Sequence, residues 1–476
     1  MGLIQFSIDV DDLVAREEIG KADFVTFDGR VIATDTVLKN DRLACVRDRT
    51  DSSKLRLLCN LGDRQVVTQT TSLRESQNLY PLEIELARGE LYRLRNFYFL
   101  WTGAGLKSNP VLDQKIAEAQ KLFCSAIFAT DGPAFAMKSL ELTQAAVDML
   151  VREYVKQRIT FRQQRIQHFP MSVGCRLSAV PPKPEEFLET FTGVLIKTRW
   201  RELEPTDGDY HWDDLDALVD WTCSNGLFCI GGPLLDLSSN CFPEWMQPWK
   251  GDLKNLQCFT SDFVETVVSR YVGRIRHWEV VCGANCGGSN NLSEEDRLNL
   301  IVRAIDAAQE VDEQIQISLR VIQPWGEYLS TTENRLAPIQ FVDTLRRSGA
   351  TISEVNLDLR FGSGDLCSMP RDMLNVSQLL DHWSLLQLPL NIMAALPETS
   401  HPALCENLGK QVAWQTQQME QLALMCLAKE RVTGFYCLNW ADCTVHDQPL
   451  VDMNEALHPA VSRIAAMERL HWPVSP

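Results

Sequence analysis

Excess positive charge, a long apolar run and a glycine-rich nucleotide loop are all missing from this sequence, and each absence closes a class of function. Lys and Arg number 46 against 63 Asp and Glu, a net charge of −17, so the surface field repels nucleic acid and anionic lipid. No stretch approaches the roughly 18 unbroken apolar residues that a bilayer span requires, and a soluble protein that does not enter membranes is expected. The opening residues, MGLIQFSIDVDDLVAREE, carry acids where a signal peptide has a basic stretch, and Phe6 stands where a myristoylation signal has Ser or Thr. This predicts a cytoplasmic location, with export by another route left open. The patterns GxGxxG and GxxxxGK followed by Ser or Thr are absent, and nucleotide binding loses support with them. The eight His are dispersed without an HExxH or His-x-His pair, and Cys282 and Cys286 have no His pair beside them. No metal site and no cofactor are therefore expected. The GxSxG elbow of a Ser-His-Asp hydrolase is missing too.

What is present is globular. The 476 residues are 45% apolar and 23% charged, enough for a filled core and long enough for two or three domains. The 15 Cys are scattered and several lie inside apolar runs, such as Cys229 in GLFCIGG and Cys437 in GFYCLNW. They read as reduced, buried small hydrophobes, and their odd number leaves at least one unpaired within a monomer.

Three textures follow one another along the chain. Residues 1–105 show short β-prone runs broken by turn signals (LIQFSIDV, ADFVTF, RVIATDTVL, LRLLCNLGD, RQVVTQTT, YPLEIELARG, YRLRNFYFLW), which predicts a β-rich, sandwich-like domain. Residues 106–166 turn helical, with VLDQKIAEAQKLFCSAIF and then an unbroken helical pattern from Pro133 to about Gln164. From 167 to 476, apolar runs of strand type alternate with amphipathic stretches. The eight runs are SVGCRLS, GVLIKT, LFCIGGPLL, HWEVVCG, QISLRVI, VNLDLR, LPLNIMAAL and VTGFYCLNW, and they predict an α/β fold, a (β/α)8 TIM barrel. An open doubly wound sheet is the alternative, without the phosphate loop that usually marks it.

Within this barrel segment, Trp200-Arg201-Glu202-Leu203-Glu204-Pro205 with Gly208, Tyr210 and Trp212 resembles a run found in the family 10 glycoside hydrolases, the xylanase-type barrels. Leu215-Asp216 through Val219-Asp220-Trp221 and Asn225-Gly226, the stretch Gly231 to Trp245, and Tyr271 to Ile275 with Trp278-Glu279-Val280-Val281 continue the resemblance in the family's order. The resemblance implies a carbohydrate ligand, a β-linked polysaccharide or oligosaccharide of xylan type, and a preceding domain that is like a carbohydrate-binding module in texture only. It also implies where the catalytic groups belong. The family's acid/base Glu falls on Gly283, its nucleophile Glu on Ala394, and two of its His on Gly232 and Leu237. Neither Gly nor Ala transfers a proton or attacks a carbon. A shift of one or two residues at Gly283 reaches Asn285 but no carboxylate.

Other side chains near the predicted strand ends are then the candidates. Glu327, Asp236 and Glu279 are the candidate catalytic acids, weighed against an ordinary helix-start Glu for the first and a buried structural carboxylate for the last. Trp200, Asn285, Gln323, Trp325, Arg360, Trp440 and Asp442 are the candidate ligand contacts. Trp440 and Trp200 are possible stacking platforms, with core packing favoured for Trp200, and Arg360 is open to a structural ion pair because Asp358 shares its face. Three functions compete: a binding or scaffold protein whose catalysis is lost, a hydrolase with relocated carboxylates, and an interaction protein using the helical connector. A hydrolase requires two carboxyls on one cleft roughly 5 to 10 Å apart. Oligomeric state is not legible.

Overall fold

The computed structural model describes residues 2–27, 29–62, 64–238, 242–287, 292–362, 364–441, 448–452 and 456–471. The N-terminal part carries strands β1 (Gly2–Ser7), β2 (Asp23–Val25), β3 (Val31–Ile32), β4 (Thr34–Lys39), β5 (Arg42–Arg47), β6 (Lys54–Leu61), β7 (Arg64–Gln69) and β8 (Tyr80–Pro81). They form two four-stranded sheets, ordered β4-β5-β1-β8 and β3-β2-β6-β7. Ile4, Phe6 and Leu43 of one sheet and Phe24, Leu55 and Leu57 of the other share a single apolar core. Strand β5 is not among the runs read from the sequence.

The last two of those runs are corrected by the structure. Residues Leu82–Gly103 form one helix, α1, which starts directly after Pro81. Its buried positions Leu82, Leu86, Glu90, Arg93 and Leu94 follow the helical period, while the aromatics of NFYFLW imitate strand composition. Tertiary packing settles the matter. A Cβ on Gly89 would lie 2.0 Å from the carbonyl oxygen of Gln69, so glycine lets α1 rest directly on the backbone of β7. Helices α2 (Pro110–Phe128) and α3 (Gly132–Gln163) coincide with the two helical patterns. Asn109 caps α2 by accepting from the Leu112 N–H at 2.9 Å, which satisfies a free N-terminal donor.

Strands β9 (Ser172–Leu177), β10 (Gly193–Ile196), β11 (Phe228–Gly231), the two-residue β12 (Leu235–Asp236), β13 (His277–Cys282), β14 (Gln316–Val321), β15 (Glu354–Asp358), β16 (Leu390–Ala394) and β17 (Val432–Cys437) follow. Apart from β12, which pairs only with β13, they close a ring of eight parallel strands, with β17 against β9 and β11 against β13. Of these eight, seven lie within the predicted runs, and β15 begins one residue before VNLDLR. Because parallel barrel strands are covered on both faces, their residues are mostly buried, and the runs read as largely apolar. Helices such as 213–224, 253–270, 294–311 and 408–428 lie between them. The fold is a (β/α)8 barrel preceded by β-rich sheets and helices.

The N-terminal part rests on the C-terminal end of the barrel. The Val67 N–H donates to the Pro370 carbonyl at 2.9 Å, Gln65 donates to Ser400 Oγ at 3.0 Å, and Met369 packs with Ala15, Leu58 and Val67. Val31 packs against the cluster of Cys282, Cys286, Ile322, Tyr328 and Leu329. These barrel residues belong to the ends of β13–β16 or to the loops after them, so the N-terminal sheets cover that side of the mouth. Arg93 of α1 locks the seam, donating to Glu90 at 3.0 Å and to Asp372 at 3.0 Å, with all three buried. Burial and the adjoining Arg93 charge oppose one another at Asp372, and the charge prevails, holding its carboxyl below the usual range.

Candidate functional site

Ligands of barrels of this class sit where the strands end, so the residues at those ends define the candidate site. Asp236, on β12, is half-buried beside Cys282 and accepts from the N–H and the Oγ of Ser238 at 3.1 and 2.5 Å. Glu279 points into the barrel, 1% exposed. Arg320 of the next strand grips it with two contacts, Nε to Oε2 at 3.0 Å and Nη2 to Oε1 at 2.8 Å, and Asn356 donates to Oε2 at 2.6 Å. Burial works against the Arg320 charge, but Glu279 outweighs it and holds the guanidinium protonated.

Asn356 joins this pair to a wider network. Its Oδ1 accepts from Asn391 at 3.0 Å, Asn391 also donates to Glu354 at 2.5 Å, and Glu354 meets His277 Nδ1 at 2.6 Å. Polar groups from β13, β14, β15 and β16 therefore run through the barrel interior, each answered by another.

Glu327 lies elsewhere. It opens a short 3-10 turn after β14, is 8% exposed, and accepts from Arg371 Nη2 at 2.8 Å. Burial first and then the neighbouring Arg56 of β6 lower the pKa of Arg371, against Glu327, which raises it. Two thiols report how the carboxylates are distributed. Burial raises the pKa of Cys282 strongly, with Asp236, Glu279 and Asp358 adding to it against Arg320; burial and then Glu327 and Asp358 raise that of Cys286. Asp358 thus acts on both thiols, Asp236 and Glu279 on Cys282, and Glu327 on Cys286.

The remaining candidates are engaged by their own chain. Trp200 is 3% exposed, stacks on Phe263 at 4.3 Å and donates to Glu204 at 2.6 Å. Trp440 is 3% exposed and meets Phe187 and Phe191 edge-on at 5.3 and 5.8 Å. Asn285 bridges to Ile322, donating to its carbonyl at 2.7 Å and accepting from its N–H at 3.2 Å. Gln323 donates to the carbonyls of Asp365 and Cys367 at 2.8 and 3.2 Å, so it props the loop after β15. Trp325 is half-buried against Phe361 with Arg371 over its ring at 5.2 Å. Arg360 pairs with Asp358 at 2.8 Å. Asp442 lies outside the described residues.

At the positions where the resemblance expects polar catalytic groups, neighbouring atoms crowd the two glycines and the other two residues are apolar. Gly283, the first residue after β13, has φ +70°, and a Cβ there would lie 2.4 Å from Ser238 Cβ and 2.9 Å from Ile322 Cδ1. A Cβ on Gly232 would lie 2.3 Å from the Glu279 carbonyl oxygen. Leu237 and Ala394 are buried apolar residues. The residues that carry the resemblance instead brace one another. Glu204 accepts from Trp200 and from the Gly208 N–H at 2.9 Å, Trp245 donates to the Glu204 carbonyl at 3.1 Å, and Asp216 accepts from Tyr271 and Arg270 at 2.9 and 3.0 Å.

Among the described residues, no group of three or more His, Cys, Asp or Glu is placed to hold a metal ion, and no helix is long and apolar enough to cross a membrane. Eight of the thirteen described cysteines are buried.

The closed ring of eight parallel strands defines a (β/α)8 TIM barrel. The chain resembles the family 10 glycoside hydrolases: residues 191–352 match the model of glycosyl hydrolase family 10. Endo-1,4-beta-xylanase 3 of Hypocrea jecorina is 34% identical over 86 residues, 17% of this chain and 23% of the relative. Endo-beta-1,4-xylanase Xyn10C of Cellvibrio japonicus is 28% identical over 99 residues, 20% of this chain and 16% of the relative. The chain thus spans under a quarter of the length of these relatives. Native xylanase 10B from Thermotoga maritima superposes with a TM-score of 0.50 at 15% identity, over 66% of this chain and 96% of the other, a likeness of fold.

Proposed function

We propose that this chain is a non-hydrolytic carbohydrate-binding protein built on a xylanase-type barrel, with a β-linked xylo- or gluco-oligosaccharide as its ligand. The observation that carries the loss of hydrolysis is the closure around Gly283, which leaves no room for a side chain where the resemblance places the acid. Two further facts support it: Glu279 is gripped by Arg320, and Glu327 is paired with Arg371 at the seam. A carboxylate in a buried ion pair has neither the free proton of a general acid nor a path to a sugar carbon. The relatives' names, which speak of xylanases, support the ligand class.

Calorimetry with xylo- and gluco-oligosaccharides, together with product analysis of the same mixtures after long incubation, tests the proposal. Binding without products is the expected result. Products that disappear in Glu327→Gln would instead establish a hydrolase with a displaced acid.

A second reading, an interaction protein working through its helices, is favoured by one observation. Tyr92, Phe99 and Leu100 of α1 and Val111 and Phe128 of α2 are exposed, Phe99 at 75% and Phe128 at 86%, and exposed apolar side chains on neighbouring helices suit a partner surface. Absence of any sugar binding would move the weight to it.

A further inference from the structure

A cleft of about 740 Å³ opens along the seam, between the β6–β7 hairpin, α3 and the helix 408–428. That volume lies within the range of small-ligand sites, roughly 300 to 1,000 Å³. None of the candidate residues named above lines it, although Phe361, Pro370 and Arg371 of the loop after β15 do, so it lies beside the barrel mouth. Trp414, Gln417, Gln418 and Gln421 line it at spacings of three and four, so they form one stripe along one helix face. A neighbouring face of the same helix is packed, with Gln415, Met419, Leu422 and Cys426 buried. Trp414, Gln418 and Gln421 are half-buried and Gln417 is exposed. Among the described residues, none of these four side chains has a hydrogen-bond partner in the chain.

Four of the six charged residues that line the cleft are held in ion pairs. Arg64 of β7 pairs with Asp148 of α3 at 2.7 Å, Arg371 with Glu327 and Asp372 with Arg93. With Lys410 and Glu141 also on the wall, three positive charges stand against three negative ones, so the cleft offers an indole, three unengaged primary amides beside the engaged Gln65, and no net charge. Such a surface favours a neutral ligand with an apolar face and a hydroxylated rim. A pyranose ring stacks its C–H face on an indole, and its hydroxyls both donate and accept, which is what a primary amide matches. From Trp414 to Gln421 the stripe runs about 10 Å, long enough for roughly two sugar units.

We propose that this seam cleft, rather than the barrel mouth, is the oligosaccharide-binding site of the chain, with Trp414 as stacking platform and Gln417, Gln418 and Gln421 as the hydroxyl-reading groups. The proposal rests on the carbohydrate reading for its ligand class and on the cleft alone for its place. The consequence is a binding site shared between the N-terminal unit and the barrel, so that ligand and seam stabilise each other.

The test uses the full chain titrated with xylotetraose and cellotetraose by calorimetry, comparing wild type with Trp414→Ala, Gln417→Ala/Gln418→Ala and, at the barrel mouth, Asp236→Ala. The expected result is about tenfold weaker binding in Trp414→Ala and several-fold weaker binding in the double variant, with Asp236→Ala unchanged. Binding lost in Asp236→Ala but kept in both seam variants overturns the seam site while leaving a carbohydrate-binding barrel. No binding by wild type overturns the seam site and the carbohydrate reading together. Should Trp414→Ala fail to fold, the double variant decides, because neither of its side chains is fully buried: unchanged affinity there overturns the site.

Discussion

Replacing Gly283 tests whether the family's acid position is closed by geometry. Alanine at φ +70° costs roughly 1–2 kcal/mol for the left-handed backbone. Its Cβ would stand 2.4 Å from Ser238 Cβ, an atom fixed to the main chain that cannot swing aside, and overpacking of this kind adds about 1–3 kcal/mol. The sum is about 2–5 kcal/mol, equivalent to a fall of about 3–8 °C in Tm if the barrel unfolds as one unit. Gly273→Ala is the control: its φ is +78° and nothing lies within 4 Å of the added Cβ, so only the backbone part of the loss should appear, about 2–3 °C. The assay is scanning calorimetry on the three proteins at one heating rate, followed by reducing-sugar release from xylan by Gly283→Glu. The reasoning predicts that Gly283→Ala melts clearly below Gly273→Ala and that Gly283→Glu is further destabilised and inactive. A Gly283→Glu protein that melts like wild type and releases sugar would refute it.

The other expectations concern the buried ion pairs. Arg320→Met leaves Glu279 charged inside the barrel with Asn356 as its remaining donor, and should cost about 3–5 kcal/mol. Adding Glu279→Gln should restore a large part of that, and simple additivity of the two losses in urea midpoints would count against the pairing. Arg93→Ala strips the shared counter-ion from Glu90 and Asp372 and should cost a similar amount at neutral pH. Its pH dependence has a definite sign. The lowered pKa of Asp372 contributes stability above the usual carboxylate range and loses it as pH falls through the folded value. The gap between wild type and Arg93→Ala should therefore narrow below about pH 4; a constant gap across pH 3 to 7 would contradict the assignment.

How far the sequence reaches differs between fold and site. The eight barrel strands were legible because burial on both faces writes itself into each run as a short, largely apolar stretch, and α2 and α3 because their period is local. Helix α1 was not, since a run rich in Leu, Tyr and Phe suits strand and helix alike, and only the close approach of Gly89 to β7 separates them. The Trp414 stripe was visible as spacing in WQTQQMEQ, yet nothing local tells an outward amide face from a ligand-facing one.

Residue identity alone established that Gly283 and Ala394 cannot perform acid–base or nucleophilic chemistry. Tertiary structure decided the rest: that Glu279 belongs to Arg320, 41 residues away, Glu327 to Arg371, 44 away, and Arg93 to Asp372, 279 away. A carboxylate's availability depends on which opposite charge the fold brings within hydrogen-bond reach. That proximity arises from closing the barrel and docking the N-terminal sheets on its mouth, contacts that no local pattern in the chain encodes.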